Sequence, residues 1–251
     1  MTFSIAVAGK GGSGKTSIAG LIIRYLKRNR PGPILAVDAD ANANLGESLG
    51  LDVRETIGSV LATFNEEKIR IPSGLTKGAY LELRLNETVV ESEGLDLISM
   101  GRGEGTGCYC YPNSVLKKFI DELKGNYTYM VMDNEAGMEH LSRRTTEDVD
   151  QLFIVSNYSV KGVRTVARIR ELISELKLVI KQQSVIINFV PQKSDPHVIR
   201  QLEHFEIEPI ALIPYDKEVY ECDLEQRPLL ELPDTSKSVI AINELMAKIL
   251  K

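Results

Sequence analysis

The stretch Gly9-Lys10-Gly11-Gly12-Ser13-Gly14-Lys15-Thr16 constrains this chain more than any other. Before it runs Phe3-Ser4-Ile5-Ala6-Val7-Ala8, which reads as a short buried strand. After it Ile18, Leu21, Ile22, Tyr25 and Leu26 recur at helical spacing. Strand, glycine loop and helix in that order form a cradle for phosphate. The glycines let the backbone N–H groups from Gly9 to Ser17 close around phosphate oxygens, Lys15 reaches the terminal phosphates, and the Thr16 hydroxyl ligates magnesium.

Lys10 follows the first glycine, where an ordinary loop of this kind accepts almost any residue. A second lysine beside the phosphates invites a role of its own. The pattern is a deviant Walker A motif, and on it the chain resembles the MinD/nitrogenase iron protein superfamily of dimerising ATPases. The resemblance implies that Lys10 crosses a two-fold interface to the partner's nucleotide, so that ATP or ADP occupancy and dimer geometry are coupled. It also makes Lys10 and Lys15 catalytic candidates.

At 251 residues with 43% hydrophobic content the chain can bury one large core, and a single P-loop ATPase domain over 1–251 is expected. A net charge of −5 and a pI near 5.4 argue against general affinity for nucleic acid, which surplus Lys and Arg would provide. Three cysteines, no apolar leader and no apolar run near the ~20 residues that span a bilayer predict a cytoplasmic chain without disulfides.

Pro31-Gly32-Pro33 ends the first helix and starts the strand Ile34-Leu35-Ala36-Val37, which delivers Asp38-Ala39-Asp40 to its carboxyl end. Ligands bind at such ends. Val60, Leu61, Phe64 and Ile69 suggest a helix, whereas Leu81-Glu82-Leu83-Arg84-Leu85 alternates and fits either an exposed strand or a helix edge. Further strands are expected at Leu95–Met100, Tyr129–Met132, Gln151–Ser156, Ser184–Val190 and Glu208–Ile213, with helices from about Asn113 to Lys124 and from Val163 to Leu176. The alternation predicts an α/β fold, a mostly parallel sheet flanked by helices on both faces. Val239, Ile240, Ile242, Leu245, Met246, Ile249 and Leu250 form an amphipathic C-terminal helix. Only Lys237, Lys248 and Lys251 lie near it, so a closing helix packed on the domain is expected rather than a membrane anchor.

Phosphoryl transfer to water needs positioned carboxylates near magnesium and the attacking water. Asp38 and Asp40 meet that need and resemble the switch I pattern of the superfamily; Asp40 is assigned to orienting the water and Asp38 to the magnesium shell. The same pair could instead cap the next helix. Asp133 and Gly137 look like the Walker B and switch II element, with Asp133 holding magnesium through water and the Gly137 amide sensing the terminal phosphate. Asn188 looks like the superfamily's base-reading asparagine, and Ile213-Pro214-Tyr215-Asp216 resembles the loop over adenine, which assigns Pro214 and Tyr215 to the base.

Cys108 and Cys110 separate the chain from a generic ATPase. In an extended segment residues i and i+2 point to one side, so both thiolates can bind one soft ion, nickel or zinc. A closed site wants four ligands, yet His140, His197, His204 and Cys222 are scattered. An isologous dimer would place the same loop from both subunits face to face and supply four sulfurs. With Gly107-Cys108-Tyr109-Cys110 and the run from Met132 to Leu141, the chain resembles the CooC family of carbon monoxide dehydrogenase maturation ATPases. That resemblance implies a homodimer that helps insert nickel into a nickel–iron–sulfur client, carbon monoxide dehydrogenase or acetyl-CoA synthase, with no stable membrane association. The competing expectations are a MinD-like spatial regulator, an iron–sulfur carrier with four cysteines across the dimer, and a pump subunit.

Overall fold

In a computed structural model of the protein, residues 1–67, 71–102, 110–134, 148–176 and 179–251 are described. Seven strands form one sheet: β1 (Phe3–Gly9), β2 (Ile34–Ala39), β3 (Leu95–Ser99), β4 (Tyr129–Asn134), β5 (Asp148–Asn157), β6 (Val179–Val190) and β7 (Pro209–Pro214). Their spatial order is β3-β2-β4-β1-β5-β6-β7, and every neighbouring pair is parallel. The expected mostly parallel sheet is thus found: the seven strands pair only in parallel, and one isolated antiparallel bridge joins Val90 to Leu97 of β3. Its central strands are apolar nearly end to end, because a parallel sheet is covered on both faces.

The helices are α1 (Lys15–Asn29), α2 (Asn44–Leu49), α3 (Ile57–Glu67), α4 (Lys77–Glu87), α5 (Cys110–Lys124), α6 (Val160–Leu176), α7 (Pro196–His204), α8 (Lys217–Leu224) and α9 (Lys237–Ile249). Alternation along β1 divides the core. Ile5 and Val7 pack with residues of α1, α2, α8 and α9, whereas Ala6 and Ala8 face residues of α3 to α7. Local chemistry sets several boundaries. Thr76, Asp195, Asp216 and Ser236 cap α4, α7, α8 and α9 through side-chain oxygens that accept backbone N–H groups, and Pro196 occupies the first turn of α7.

One open segment is decided and two expected boundaries are corrected. The alternating segment around Leu81–Leu85 is helical, because Leu81 and Leu85 at i and i+4 are buried while Leu83 is 49% exposed. The helix expected from about Asn113 begins at Cys110. The strand expected from Ser184 starts at Val179, since Lys181, Gln182 and Gln183 carry no apolar signal yet extend the pairing with β5. Ile69 lies outside the described residues. The C-terminal helix closes the domain as expected: α9 packs on β7 and α1, burying Val239, Ile242, Leu245 and Met246. Among the described residues no helix is long and apolar enough to cross a membrane.

Arg24, from the middle of α1, is 2% exposed and donates to the Leu232 carbonyl and to Asp234 Oδ1, both at 2.6 Å. This tie holds the segment before α9 against α1.

Candidate functional site

The glycine loop leaves the sheet where β1 lies between β4 and β5, the point at which later strands begin to add on the opposite side. The backbone there is tight. A Cβ on Gly9 would collide with the Val155 carbonyl oxygen, and Gly12 and Gly14 have φ of 75° and 83°, the left-handed region. Gly14 is the N-cap of α1, so the helix's first amides open toward the loop. Lys15 is buried, whereas Lys10 is exposed. An exposed lysine on this loop can reach beyond its own chain; the buried one cannot.

Parallel pairing puts Asp133 of β4 level with both Val7 of β1 and Asp38 of β2. The Thr16 hydroxyl donates to Asp133 Oδ2 at 2.6 Å. Asp133 Oδ1 is buried and has no hydrogen-bond partner among the described residues. Burial pushes this carboxyl up to about 7; the Thr16 hydrogen bond pulls it down, the Asp38 charge pushes it up and Lys15 pulls it down. A divalent cation would favour the ionised form and occupy the orphaned oxygen, so Thr16 and Asp133 suit magnesium.

Asp38 is fully buried, and burial is also what raises it to about 6, against two backbone hydrogen bonds that lower it. Those bonds define its place: Oδ1 accepts from the Asp40 amide at 3.1 Å and Oδ2 from the Leu45 amide at 2.8 Å, in the first turn of α2. The oxygens of Asp38 thus hold the loop between β2 and α2. Asp40 is half-buried and its Oδ1 accepts from the Asn42 backbone and side chain at 2.9 and 3.0 Å. A tight turn thus fixes it beside the glycine loop's acidic neighbours.

Far apart in sequence, Asn188, Pro214 and Tyr215 meet the loop around one cavity of about 390 Å³ lined also by Gly12, Gly14 and Ser17. Asn188 Nδ2 donates to the Ser13 carbonyl at 3.0 Å. Tyr215 stands at the rim, 54% exposed. Sequence reasoning missed Phe189 here and named Asp216 without giving it a role. Phe189 also lines the cavity, hidden in a run that reads as uninterrupted strand. Asp216 Oδ2 accepts from the Ser236 hydroxyl at 2.6 Å and the Ser238 amide at 2.8 Å, joining the starts of α8 and α9 beside the cavity. Its sequence signal was its place at the end of the Ile213-Pro214-Tyr215-Asp216 run.

Gly137 and Cys108 lie outside the described residues, and of Cys110 only its backbone position at the start of α5 is described. Cys222 is buried. Among the described residues no group of three or more His, Cys, Asp and Glu side chains is placed to hold a metal ion.

Comparison with known proteins puts this geometry in context. An uncharacterized ATP-binding protein of Methanocaldococcus jannaschii is 39% identical over 248 residues, 98% of either chain. The carbon monoxide dehydrogenase accessory protein CooC of Rhodospirillum rubrum is 28% identical over 231 residues, covering 87% of this chain and 86% of its own. Among solved structures, the septum site-determining protein MinD of Pyrococcus horikoshii, complexed with Mg-ADP, superposes with a TM-score of 0.69 at 22% identity, covering 100% of this chain and 97% of that one. A ParA family ATPase of Chlorobium tepidum gives 0.71 at 20%, with 97% and 98% covered. Residues 4–229, from the first strand through the cavity-lining segment, match one family description. The chain belongs to the CobQ/CobB/MinD/ParA nucleotide binding domain family (CbiA).

Proposed function

We propose that the chain, a single P-loop domain over 1–251, is a dimeric ATPase that carries nickel, or zinc in its place, on Cys108 and Cys110 shared across the dimer. The metal is cargo for a nickel–iron–sulfur enzyme, carbon monoxide dehydrogenase or acetyl-CoA synthase. The observation that carries this reading is the near full-length similarity to the Rhodospirillum rubrum CooC protein in a chain that has a Cys-x-Cys pair. The buried carboxylates supply the ATPase half.

In this reading the amides from Gly9 to Ser17 bind the phosphates of ATP or ADP, Lys15 from the same chain and Lys10 from the partner neutralise them, and Asn188, Pro214 and Tyr215 receive the base. Thr16 and Asp133 hold magnesium, with Asp38 behind them. When bound, magnesium supplies charge neutralisation of the phosphates. Asp40 orients a water that attacks the terminal phosphorus; the bond to the bridging oxygen breaks and ADP leaves. Gly137 offers its amide to the terminal phosphate. Hydrolysis removes the group that Lys10 and Lys15 share, which relaxes the interface and frees the metal.

The test is nickel and zinc stoichiometry in wild type and in the Cys108→Ser/Cys110→Ser double variant, measured without nucleotide, with ADP and with a non-hydrolysable ATP analogue. One metal per wild-type dimer and none in the variant is the expected result; equal stoichiometry removes the metal role. A MinD-like spatial regulator is the second reading, favoured by the fold. Against it stands α9, whose apolar face is already buried on β7 and α1. ATP-dependent pelleting with liposomes would decide for it, and a coloured protein after anaerobic purification would decide for an iron–sulfur carrier.

A further inference from the structure

Among the described residues, four that are not glycine have positive φ: Ala43, Phe189, Glu206 and Gln226. Two follow helix ends, where a left-handed residue lets the next amide reach back: Ile207 N–H to the Leu202 carbonyl and Arg227 N–H to the Cys222 carbonyl. Ala43 precedes α2. Phe189 is different, a bulky residue at φ 57° inside a strand. Ile187 stands opposite Leu212 and Val190 opposite Pro214, so three steps along β6 match two along β7. The extra residue is a β-bulge at a position glycine usually takes.

The bulge redirects the side chain. Neighbouring residues of a strand point to opposite faces, yet here both Asn188 and Phe189 turn onto the glycine loop. Asn188 is committed there: its Nδ2 donates to the Ser13 carbonyl at 3.0 Å and its Oδ1 accepts from the Phe189 amide at 2.9 Å. The Phe189 ring reaches Gly14, where an added Cβ would lie 3.1 Å from Cζ, and it stays 40% exposed at the wall of the 390 Å³ cavity. A backbone conformation this unfavourable for phenylalanine persists only where surrounding structure holds it, and such positions gather at binding sites.

The geometry points to Phe189 as the platform on which the nucleobase stacks, a further ligand-binding residue of the cavity. This rests on the nucleotide reading above. The ring is attached to the phosphate loop through Asn188, so the base and phosphate subsites are set at a fixed spacing. Base recognition then gains an aromatic face beside the Asn188 amide, of which one N–H and one acceptor position are engaged by protein.

The test uses the full chain with magnesium, comparing wild type, Phe189→Asn and Phe189→Tyr. Asparagine tolerates the left-handed backbone and removes the ring; tyrosine keeps the ring. Titration with a non-hydrolysable ATP analogue should show binding about tenfold or more weaker in Phe189→Asn, the range expected for one lost stacking contact, and within about threefold of wild type in Phe189→Tyr. Bound etheno-ADP, whose emission is quenched by aromatic stacking, should be quenched by wild type and Phe189→Tyr but not at saturation by Phe189→Asn. Unchanged affinity in Phe189→Asn, equal quenching by it, or no quenching by wild type overturns the assignment. A wild-type protein that binds neither ligand sinks the nucleotide reading itself.

Discussion

Replacing Asp133 by asparagine separates two roles of a buried carboxylate, the cation binding proposed for it and the cost of its burial. Burial raises its pKa from 3.8 to about 7. The unfolded chain ionises the group above 3.8 while the folded chain keeps it protonated until about 7. Folded stability therefore falls as pH rises through that window and is flat above it. Between pH 5 and pH 7 two of the roughly three pKa units are expressed, which at about 1.4 kcal/mol each gives a ceiling of about 3 kcal/mol. Asparagine still accepts from the Thr16 hydroxyl but cannot ionise. Any cost of its extra N–H groups is independent of pH, so the decisive quantity is how the stability difference changes with pH. Denaturant unfolding of both proteins in chelator, without nucleotide, at pH 5, 6, 7 and 8 should show the variant gaining about 1–3 kcal/mol relative to wild type between pH 5 and 7, then no more. The same variant should lose magnesium-dependent nucleotide affinity. A difference that is flat with pH, or that favours wild type increasingly as pH rises, refutes the argument that desolvation governs this carboxylate.

Three further outcomes follow from single contacts. Lys15→Ala should abolish ATP turnover while keeping the fold, as read by phosphate release and circular dichroism; retained turnover would displace Lys15 from the reaction. Gly14→Ala should cost about 1–2 kcal/mol or more in denaturant unfolding, because alanine at φ 83° is strained and its Cβ meets the Asn188 amide, whereas Gly11→Ala, which meets nothing within 4 Å, should be near neutral in the ligand-free protein. Arg24→Met should lower stability by about 2–3 kcal/mol, since it leaves the Leu232 carbonyl without its donor, and should raise amide exchange in the segment before α9.

The residues from Phe3 to Leu26 carried their own interpretation, because a phosphate cradle needs a strand, glycines and a helix contiguous in the chain, and each element has a local signature. Alternating apolar strands and helices likewise made the sheet class legible, and the apolar stripe from Val239 to Met246 announced a helix with one buried face. Only tertiary structure could decide what depends on residues distant in sequence. The Leu81–Leu85 run became a helix because its i and i+4 leucines found a core to enter. Asp38 and Asp133 acquired raised pKa values through burial, and a register between strands some hundred residues apart set them side by side, which no spacing encodes. The Phe189 bulge exists only in the pairing of β6 with β7. Short-range geometry is written in propensity and periodicity; burial, register and strain are properties of the packed sheet, and the chemistry of this site rests on those three.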